Sequence, residues 1–271
     1  MKNFEKWQGC GNDFVLFDSR DDNKIDSAEK ISKICDRHFG IGADGVIYVL
    51  NSEVAEVRMR IFNADGSEAE MCGNGIRCFT KFLLDGKRKN FLNVETGAGI
   101  LRVELSENLV TVDMGQPIFD AEKIPVTGYG NNRVINENFE VDGQNFKITC
   151  VSMGNPHCVI FADDLRIINV AEIGMKIERN KIFPKHTNVE FVQIVDKNKL
   201  RMRVWERGSG ITLACGTGSC AAAVAANLNG LTGRESEIIV DGGILNINWL
   251  ENNHVMMTGA AEKVFNGTLD F

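Results

Sequence analysis

Two cysteines lie in glycine-rich segments of similar sequence, 143 residues apart. Cys72 belongs to Met-Cys-Gly-Asn-Gly and Cys215 to Ala-Cys-Gly-Thr-Gly. A thiol can serve as a general acid and its thiolate as a general base. One thiol on each face of a carbon atom would let a proton leave from one side and return on the other. The pair therefore indicates proton transfer at a carbon centre, the chemistry of a racemase.

Other features of the chain recur at the same spacing. The corresponding segments are Gly11-Asn12 with Gly154-Asn155, Arg58-Met59-Arg60 with Arg201-Met202-Arg203, and, with one inserted residue, Gly99-Ile100-Leu101 with Gly243-Ile244-Leu245. Matches that keep their order along the chain predict an internal duplication. We expect the boundary near Gly115, which gives one domain at 1–115 and a second at 116–259.

Composition and charge restrict the class of protein. The chain has 271 residues, 44% of them hydrophobic, and a net charge of -7. The excess of acidic residues, with no basic run longer than Lys87-Arg88-Lys89, argues against nucleic acid as a partner. We expect no membrane span, because no apolar stretch approaches the roughly 20 residues needed to cross a bilayer. The N-terminus lacks an export signal, which predicts a cytoplasmic protein whose eight cysteines are free thiols.

Hydrophobic patterns place both cysteines at the starts of helices. We predict helices over 27–38, 75–84 and 218–228, and strands at 14–17, 45–50, 57–62, 100–105 and 109–114, echoed at 158–161, 189–195, 200–205, 245–250 and 254–258. The first turn of a helix presents unpaired N–H groups and about half a positive charge. Such a position binds carboxylates and favours thiolates, so each cysteine would flank a carboxylate site.

Less specific interpretations of the cysteines compete with this one. A lone cysteine in a glycine-rich turn is most often a packing residue, and the symmetric placement is what favours chemistry here. Zinc is disfavoured because the spacings Cys72/Cys78 and Cys215/Cys220 fit no common zinc pattern and no histidine is near. Neither glycine segment has a phosphate-loop sequence. We therefore predict neither a metal nor a nucleotide.

Polar residues accompany the repeated motifs. Asn12 and Asn155 lie in equivalent turns, Asn63 and Glu206 at equivalent strand ends, and Asn188 at the position equivalent to Gly45. Arg207 is a candidate for bidentate carboxylate recognition, the alternative being a surface ion pair. His157 could orient a thiol or be a core histidine, and the sequence does not separate these.

Several motifs together have a recognisable pattern. They occupy residues 11–14, 37–45, 63–67, 71–78, 154–157, 187–189, 206–208 and 214–218. With these motifs the chain resembles the diaminopimelate epimerase family along essentially its whole length. The resemblance implies an α/β (α+β) fold of two pseudo-symmetric domains, each a mixed β-sheet wrapped around a central helix. It also implies a strand at 260–271 that returns to the first domain, and a homodimer.

The resemblance implies an activity and a set of site residues. The activity is interconversion of LL- and meso-2,6-diaminopimelate without a cofactor, on the route to lysine and peptidoglycan. Cys72 and Cys215 would be the acid–base pair, assisted by His157 and Glu206. The reacting carboxylate would be held by Gly73, Asn74, Gly216 and Thr217, and the distal end of the substrate by Asn12, Asn63, Asn155, Asn188 and Arg207.

The sequence alone leaves open the effect of two departures from the family sequence and several rival functions. Many family members have glutamine at the position of Gly45 and glutamate at that of Ile211, so tolerance for a related substrate such as lanthionine could differ. Rival enzymes are a racemase of histidine or hydroxyproline and an isomerase of the phenazine-biosynthesis type. A thiol redox or metal-binding protein is the rival from another class.

Overall fold

The chain divides into two compact units, seen in a computed structural model that describes residues 1–270. One unit comprises Met1–Asp113 together with the segment from Thr258 onward, and the other comprises Met114–Met257. The predicted returning strand ends at Phe271, which lies outside the described residues. Each unit is an α+β structure with a mixed sheet.

The first unit contains all the elements that precede residue 114. They are β1 Lys2–Gly9, β2 Asn12–Asp18, α1 Ala28–Cys35, β3 Gly45–Leu50, β4 Val57–Asn63, β5 Glu68–Ala69, α2 Gly73–Leu84, β6 Phe91–Thr96, β7 Gly99–Ser106 and β8 Leu109–Asp113.

The second unit follows the same succession of strands. Its elements are β9 Glu137–Val141, β10 Gln144–Ser152, β11 Pro156–Phe161, a 3₁₀ turn Leu165–Ile167, α3 Val170–Glu178, β12 Asn188–Asp196, β13 Lys199–Glu206, β14 Gly210–Thr212, α4 Gly216–Leu228, β15 Glu235–Val240 and β16 Gly243–Trp249. Strand β17, Val255–Ala260, contains the boundary between the units, and β18, Glu262–Leu269, pairs antiparallel with β1.

The pattern of strand pairing is the same in both units. In the first, β1 and β2 are antiparallel, β2 and β3 parallel, β3 and β4 antiparallel, β4 and β6 parallel, and β6 and β7 antiparallel. The strands β10, β11, β12, β13, β15 and β16 repeat this order. Helices α2 and α4 begin 143 residues apart, at Gly73 and Gly216, which agrees with the spacing of the repeat.

One helix in each unit is enclosed by strands. Helix α2 packs against β1, β2, β7 and β8, and ten of its twelve residues are buried. Helix α4 packs against β10, β11, β12 and β16, and its alanines allow the strands to approach closely. The opposite face of each sheet is covered by a shorter helix, α1 or α3. Strand β3, covered on both faces, is therefore apolar at every position from Val46 to Leu50.

The shorter helices depart from the sequence prediction. Helix α1 has the predicted N-cap, since Ser27 Oγ accepts a hydrogen bond from Lys30 N, but it ends at Cys35 instead of near His38. The carboxylate of Asp36 accepts hydrogen bonds from His38 N and Phe39 N, which turns the chain away from the helix axis.

Helix α3 was not predicted, although its start carries a recognisable signal. The side chains of Asn169 and Glu172 form a reciprocal cap, in which Asn169 Oδ1 accepts from Glu172 N and Asn169 Nδ2 donates to the Glu172 carboxylate. None of the helices in the described part of the chain is long and apolar enough to cross a membrane.

Candidate functional site

Cys72 is the N-cap residue of α2 and Cys215 is the N-cap residue of α4. The helices begin two residues earlier than predicted, so Gly73-Asn74 and Gly216-Thr217 form their first turns. Both cysteines have extended backbone, with φ of -139° and -120°, and their carbonyl groups accept the first helical hydrogen bonds. Each thiol therefore lies beside the N–H groups that a helix start leaves without a backbone partner.

In the first unit the thiol lies against Asn12. Cys72 Sγ donates to Asn12 Oδ1 at 3.6 Å, and Asn74 Nδ2 donates to the same oxygen at 3.2 Å. Asn12 Nδ2 in turn donates to the Asp44 carboxylate at 2.7 Å. The amide of Asn12 is thereby fixed in one orientation, with its oxygen toward the cysteine and its nitrogen toward Asp44.

A group of charges holds Asp44 and the start of β2 in place. Arg37 donates to Asp44 at 2.7 Å and to both oxygens of Asp13, at 2.8 and 3.1 Å. The nearly buried ammonium of Lys6 lies 2.8 Å from Oδ2 of the Asp13 carboxylate. Burial alone would raise the pKa of Asp13, but hydrogen bonds from Arg37 and Lys6 outweigh it and lower the pKa to about 2.

Asn63, a predicted ligand contact, ends β4 opposite Gly45. Its side chain is exposed and donates to Ser67 Oγ at 3.0 Å within the turn that leads to β5. No hydrogen bond joins Asn63 to Asn12 or to Cys72 among the contacts of the described residues. Asn63 is thus not joined by a hydrogen bond to the group formed by Cys72, Asn12 and Asn74.

In the second unit the thiol accepts hydrogen bonds. Cys215 Sγ accepts from Gly218 N at 3.3 Å and lies 3.5 Å from Thr217 Oγ1. These donors favour the thiolate, whereas burial and the nearby carboxylates of Glu206 and Glu190 disfavour it. Burial is the largest effect, and the pKa of Cys215 is raised well above its ordinary value.

Glu206 ends β13 and is the carboxylate of this half-site that the sequence predicted. It accepts a hydrogen bond from Thr212 Oγ1 in β14, the strand that leads to Cys215. Burial raises the pKa of Glu206, while the hydrogen bonds from Thr212 and Cys215 act in the opposite direction. Ile211, one of the two departures from the family pattern, is exposed on the same short strand.

Asn155 and His157 form a chain of contacts that leads to Thr217. Asn155 Nδ2 donates to Thr217 Oγ1 at 3.2 Å, and Asn155 Oδ1 lies 2.9 Å from His157 Nε2. The other ring nitrogen, Nδ1, lies 2.7 Å from Glu190 Oε1. His157 is fully buried with both nitrogens occupied, so it does not touch either thiol.

Asn188 and Arg207 form the remaining contact of this unit. Asn188 Oδ1 accepts from the backbone N–H of Arg207 at 2.9 Å, and Asn188 Nδ2 donates to Pro156 O at 2.9 Å. The Arg207 guanidinium is exposed and donates to Lys185 O at 3.2 Å. Its predicted alternative, a surface ion pair, is not found among the ion pairs of residues 1–270.

The other six cysteines are all buried. All eight are free thiols, and Cys35, Cys150 and Cys158 lie in the hydrophobic cores behind the two sheets. Cys78 and Cys220 are buried within α2 and α4. Within residues 1–270 no cluster of three or more His, Cys, Asp or Glu side chains is arranged to hold a metal ion.

Sequence reasoning missed two carboxylates that organise the site. Asp44 orients Asn12, and Glu190 holds His157. Glu190 did leave a signal, because it interrupts the apolar run Val189–Val192 in a strand that is buried on both faces. Asp44 left none, since it stands in a turn where acidic residues are common.

Both halves of the chain resemble known proteins. A family model described as diaminopimelate epimerase matches residues 4–119 and again residues 149–264. The chain belongs to the diaminopimelate epimerase family. A protein named diaminopimelate epimerase from Leptospira biflexa is 49% identical over 276 residues, which cover 99% of each chain. One from Synechococcus elongatus is also 49% identical, over 273 residues and 98% of each chain.

Likeness of fold extends beyond these relatives. The crystal structure of a Bacillus anthracis phenazine biosynthesis protein of the PhzF family superposes with a TM-score of 0.68 and 20% identity, covering 100% of this chain and 99% of that one. At this identity the likeness concerns the fold alone. Together with the double match of the epimerase family model, it confirms the predicted α+β fold of two similar domains.

Proposed function

We propose that this member of the diaminopimelate epimerase family interconverts LL- and meso-2,6-diaminopimelate through a two-cysteine mechanism. The observation that carries the proposal is the location of Cys72 and Cys215 at the N-caps of the corresponding helices α2 and α4. Family membership and near-complete coverage of relatives that bear the same enzyme name support the choice of substrate. The product would enter lysine and peptidoglycan synthesis.

The proposed step needs only the two thiols and the helix starts. One cysteine, as thiolate, takes the α-proton, and the electron pair left on carbon spreads into the substrate carboxylate. The N–H groups of Gly73, Asn74, Gly216 and Thr217 stabilise that charge. The other cysteine then donates its S–H proton to the opposite face of the carbon. One proton is lost and one gained, so the thiol and thiolate have exchanged roles.

The polar side chains would orient the substrate and the thiols. We propose that Asn12, Asn63, Asn155, Asn188 and Arg207 hold the distal amino acid end, where a guanidinium suits a carboxylate. Glu206 would act at the reacting end beside Cys215. His157 would support Asn155 and Thr217 from behind, because both of its ring nitrogens already have partners.

Two further proposals concern the protein's surroundings. We propose that it works in the cytoplasm and as a homodimer, on the strength of its family. Light scattering coupled to gel filtration would measure the mass in solution. A mass of twice 30.0 kDa supports the dimer, and a mass of 30.0 kDa at micromolar concentration contradicts it.

The experiment that tests the function uses solvent isotope. Reduced protein is incubated with LL-diaminopimelate in deuterated water without added cofactor, and meso product and α-deuterium are followed by mass spectrometry. We expect meso product that carries deuterium. Cys72→Ala and Cys215→Ala should each lower the rate at least about 100-fold, since a proton-transfer residue contributes this much.

Cys220→Ala provides a matched control, because Cys220 is a buried cysteine of the same helix as Cys215 but lies away from its N-cap. It should keep near-normal activity. If the wild-type protein shows no isomerisation and no exchange, the proposal is contradicted, and lanthionine and histidine would be tested next. Failure on all three would favour the thiol redox or metal-binding alternative.

A further inference from the structure

Glu190 is a fully buried acid that the proposed mechanism does not use. It belongs to β12, and its side chain has no exposed surface. Oε1 lies 2.7 Å from His157 Nδ1, while Oε2 has no hydrogen-bond partner among the described residues. Burying a carboxylate with one oxygen unpartnered is costly, so this residue requires an explanation beyond packing.

The sheet register brings Glu190 and His157 to the same face. Strands β11 and β12 are parallel, and Val159 pairs with Glu190. His157 is two residues before Val159, so its side chain points the same way. This face is turned toward the start of α4, because a Cβ atom on Gly218 would lie only 2.7 Å from Glu190 Oε1. The carboxylate therefore lies directly behind the first turn that carries Cys215.

A continuous series of contacts connects Glu190 with the thiol. Glu190 Oε1 contacts His157 Nδ1 at 2.7 Å, and His157 Nε2 contacts Asn155 Oδ1 at 2.9 Å. Asn155 Nδ2 donates to Thr217 Oγ1 at 3.2 Å, and this oxygen lies 3.5 Å from Cys215 Sγ. Movement of the imidazole would thus displace the amide and hydroxyl groups next to the thiol.

The acceptors around His157 assign its protons. The amide oxygen of Asn155 can only accept, so it calls for a proton on Nε2, and an ionised Glu190 would accept from Nδ1 in the same way. This geometry favours a proton on each ring nitrogen. A glutamine at position 190 would reverse the first contact, because its amide nitrogen would donate to an unprotonated Nδ1.

We propose that Glu190 is a positioning residue of the epimerase site, which acts through His157 by keeping a proton on Nδ1. The pair fixes the ring, and the ring fixes Asn155 and Thr217 beside Cys215. The inference rests on the proposed function of this site and adds to it a residue that touches neither the thiols nor, in the proposed mechanism, the substrate.

Glu190→Gln is the decisive variant, because it preserves the volume and can keep a hydrogen bond to His157. We expect kcat to fall by about 10- to 100-fold, the cost of misplacing groups around the reacting atoms, with the melting temperature changed by no more than a few degrees. Glu237→Gln is the control for loss of a carboxylate in the same unit. Glu237 pairs with Lys199 at the opposite end of β13 from Glu206 and should leave kcat unchanged.

Nitrogen NMR gives a readout that a merely structural role would not change. The chain has four histidines, and the signals of His157 are identified by their loss in His157→Asn. We expect both ring nitrogens to be protonated in the wild-type protein and Nδ1 to be unprotonated in Glu190→Gln. An unprotonated Nδ1 in the wild-type protein would overturn the proposal.

Kinetics of the double variant separate action through His157 from an independent effect. In a His157→Asn background, Glu190→Gln should lower kcat by less than about twofold more. The proposal would be overturned if the two substitutions lowered kcat by factors that multiply in the double variant. It would also be overturned if kcat of Glu190→Gln were within twofold of the wild-type value. If the wild-type protein does not epimerise diaminopimelate, the proposed function fails, and the NMR comparison still decides whether Glu190 sets the protons of His157.

Discussion

Cys72 donates a hydrogen bond to the side-chain oxygen of Asn12 at 3.6 Å. The equivalent asparagine of the other unit, Asn155, contacts Thr217 instead of Cys215, and the Cys215 sulfur accepts a backbone N–H. The two thiols therefore have different hydrogen-bonding partners within otherwise corresponding units. Cys72 donates to an amide oxygen, whereas Cys215 accepts a backbone N–H and also donates to the Glu206 carboxylate.

Asn12→Ala should impair the reaction more than it impairs folding. The change removes the oxygen that Cys72 and Asn74 both contact, so we expect kcat/KM to fall about 10- to 100-fold. The free energy of unfolding should change by about 1 kcal/mol, the net contribution of an ordinary hydrogen bond. Steady-state epimerisation and urea unfolding measure the two effects. Asn90→Ala, at an exposed position of the same unit, is the control, and an unchanged kcat/KM in Asn12→Ala would contradict the assigned role.

Glu206→Gln should make Cys215 more reactive toward alkylation. After burial, the negative charge of Glu206 is the next cause of the raised pKa of Cys215, so an amide there should lower that pKa. We expect the midpoint of the pH dependence of iodoacetamide alkylation to move to lower pH. Peptide mapping by mass spectrometry separates Cys215 from the other thiols. Glu235→Gln removes an exposed carboxylate of the same unit and is the control. A midpoint in Glu206→Gln that stays in place, or that shifts no more than in Glu235→Gln, would show that the carboxylate does not act on this sulfur.

The corresponding glycines Gly75 and Gly218 should respond differently to alanine. A Cβ at Gly218 would lie 2.7 Å from Glu190 Oε1 and 3.2 Å from Cys215 Sγ, whereas a Cβ at Gly75 would meet Ile61 Cδ1 at 2.8 Å. Gly218→Ala therefore displaces site groups, and we expect kcat to fall about 10-fold or more.

Gly75→Ala should mainly lower stability, by about 1–3 kcal/mol, the usual cost of overpacking a core. Activity and melting temperature of both variants give the comparison. Equal losses of activity in the two variants would contradict the prediction. They would mean that the contact of a Cβ at position 218 with Glu190 has no particular effect on the site.

The sequence predicted the cysteines correctly as helix starts because local signals determine them. Glycines around Cys72 and Cys215, followed by helix-forming residues, carry this information within about ten residues. The continuous apolar character of β3 likewise predicted its bounds, 45–50, without error. Such features depend on the chain near each residue and not on its partners.

Contacts that depend on strand register could not be predicted in this way. His157 and Glu190 are 33 residues apart, and they meet because β11 and β12 are parallel with Val159 opposite Glu190. A shift of one residue in that register would send Glu190 into the hydrophobic core. The sequence left the role of His157 undecided for the same reason, since its partners come from distant segments. The roles of the predicted site residues stay predictions until variants are measured.

Asp13→Asn should destabilise the protein at neutral pH and much less in acid. The hydrogen bonds from Arg37 and Lys6 outweigh burial and lower the pKa of Asp13 from 3.8 to about 2. A carboxyl group with a lowered pKa in the folded state contributes stability that is fully present above its unfolded pKa and is lost as the pH falls toward its folded value. The shift corresponds to roughly 2 kcal/mol, because one pKa unit is about 1.4 kcal/mol.

Urea unfolding of Asp13→Asn and the wild-type protein at pH 7 and near pH 2.5 measures this dependence. We expect a difference of about 2 kcal/mol or somewhat more at pH 7, since Lys6 is nearly buried and would lose its counter-charge. The difference should shrink in acid, where the wild-type Asp13 takes up a proton. Asp18→Asn removes an exposed partner of Arg20 in the same unit and should show a smaller effect at pH 7, because solvent screens that pair. A difference for Asp13→Asn that is the same at both pH values would mean that packing, and not the charge of Asp13, stabilises the turn that presents Asn12.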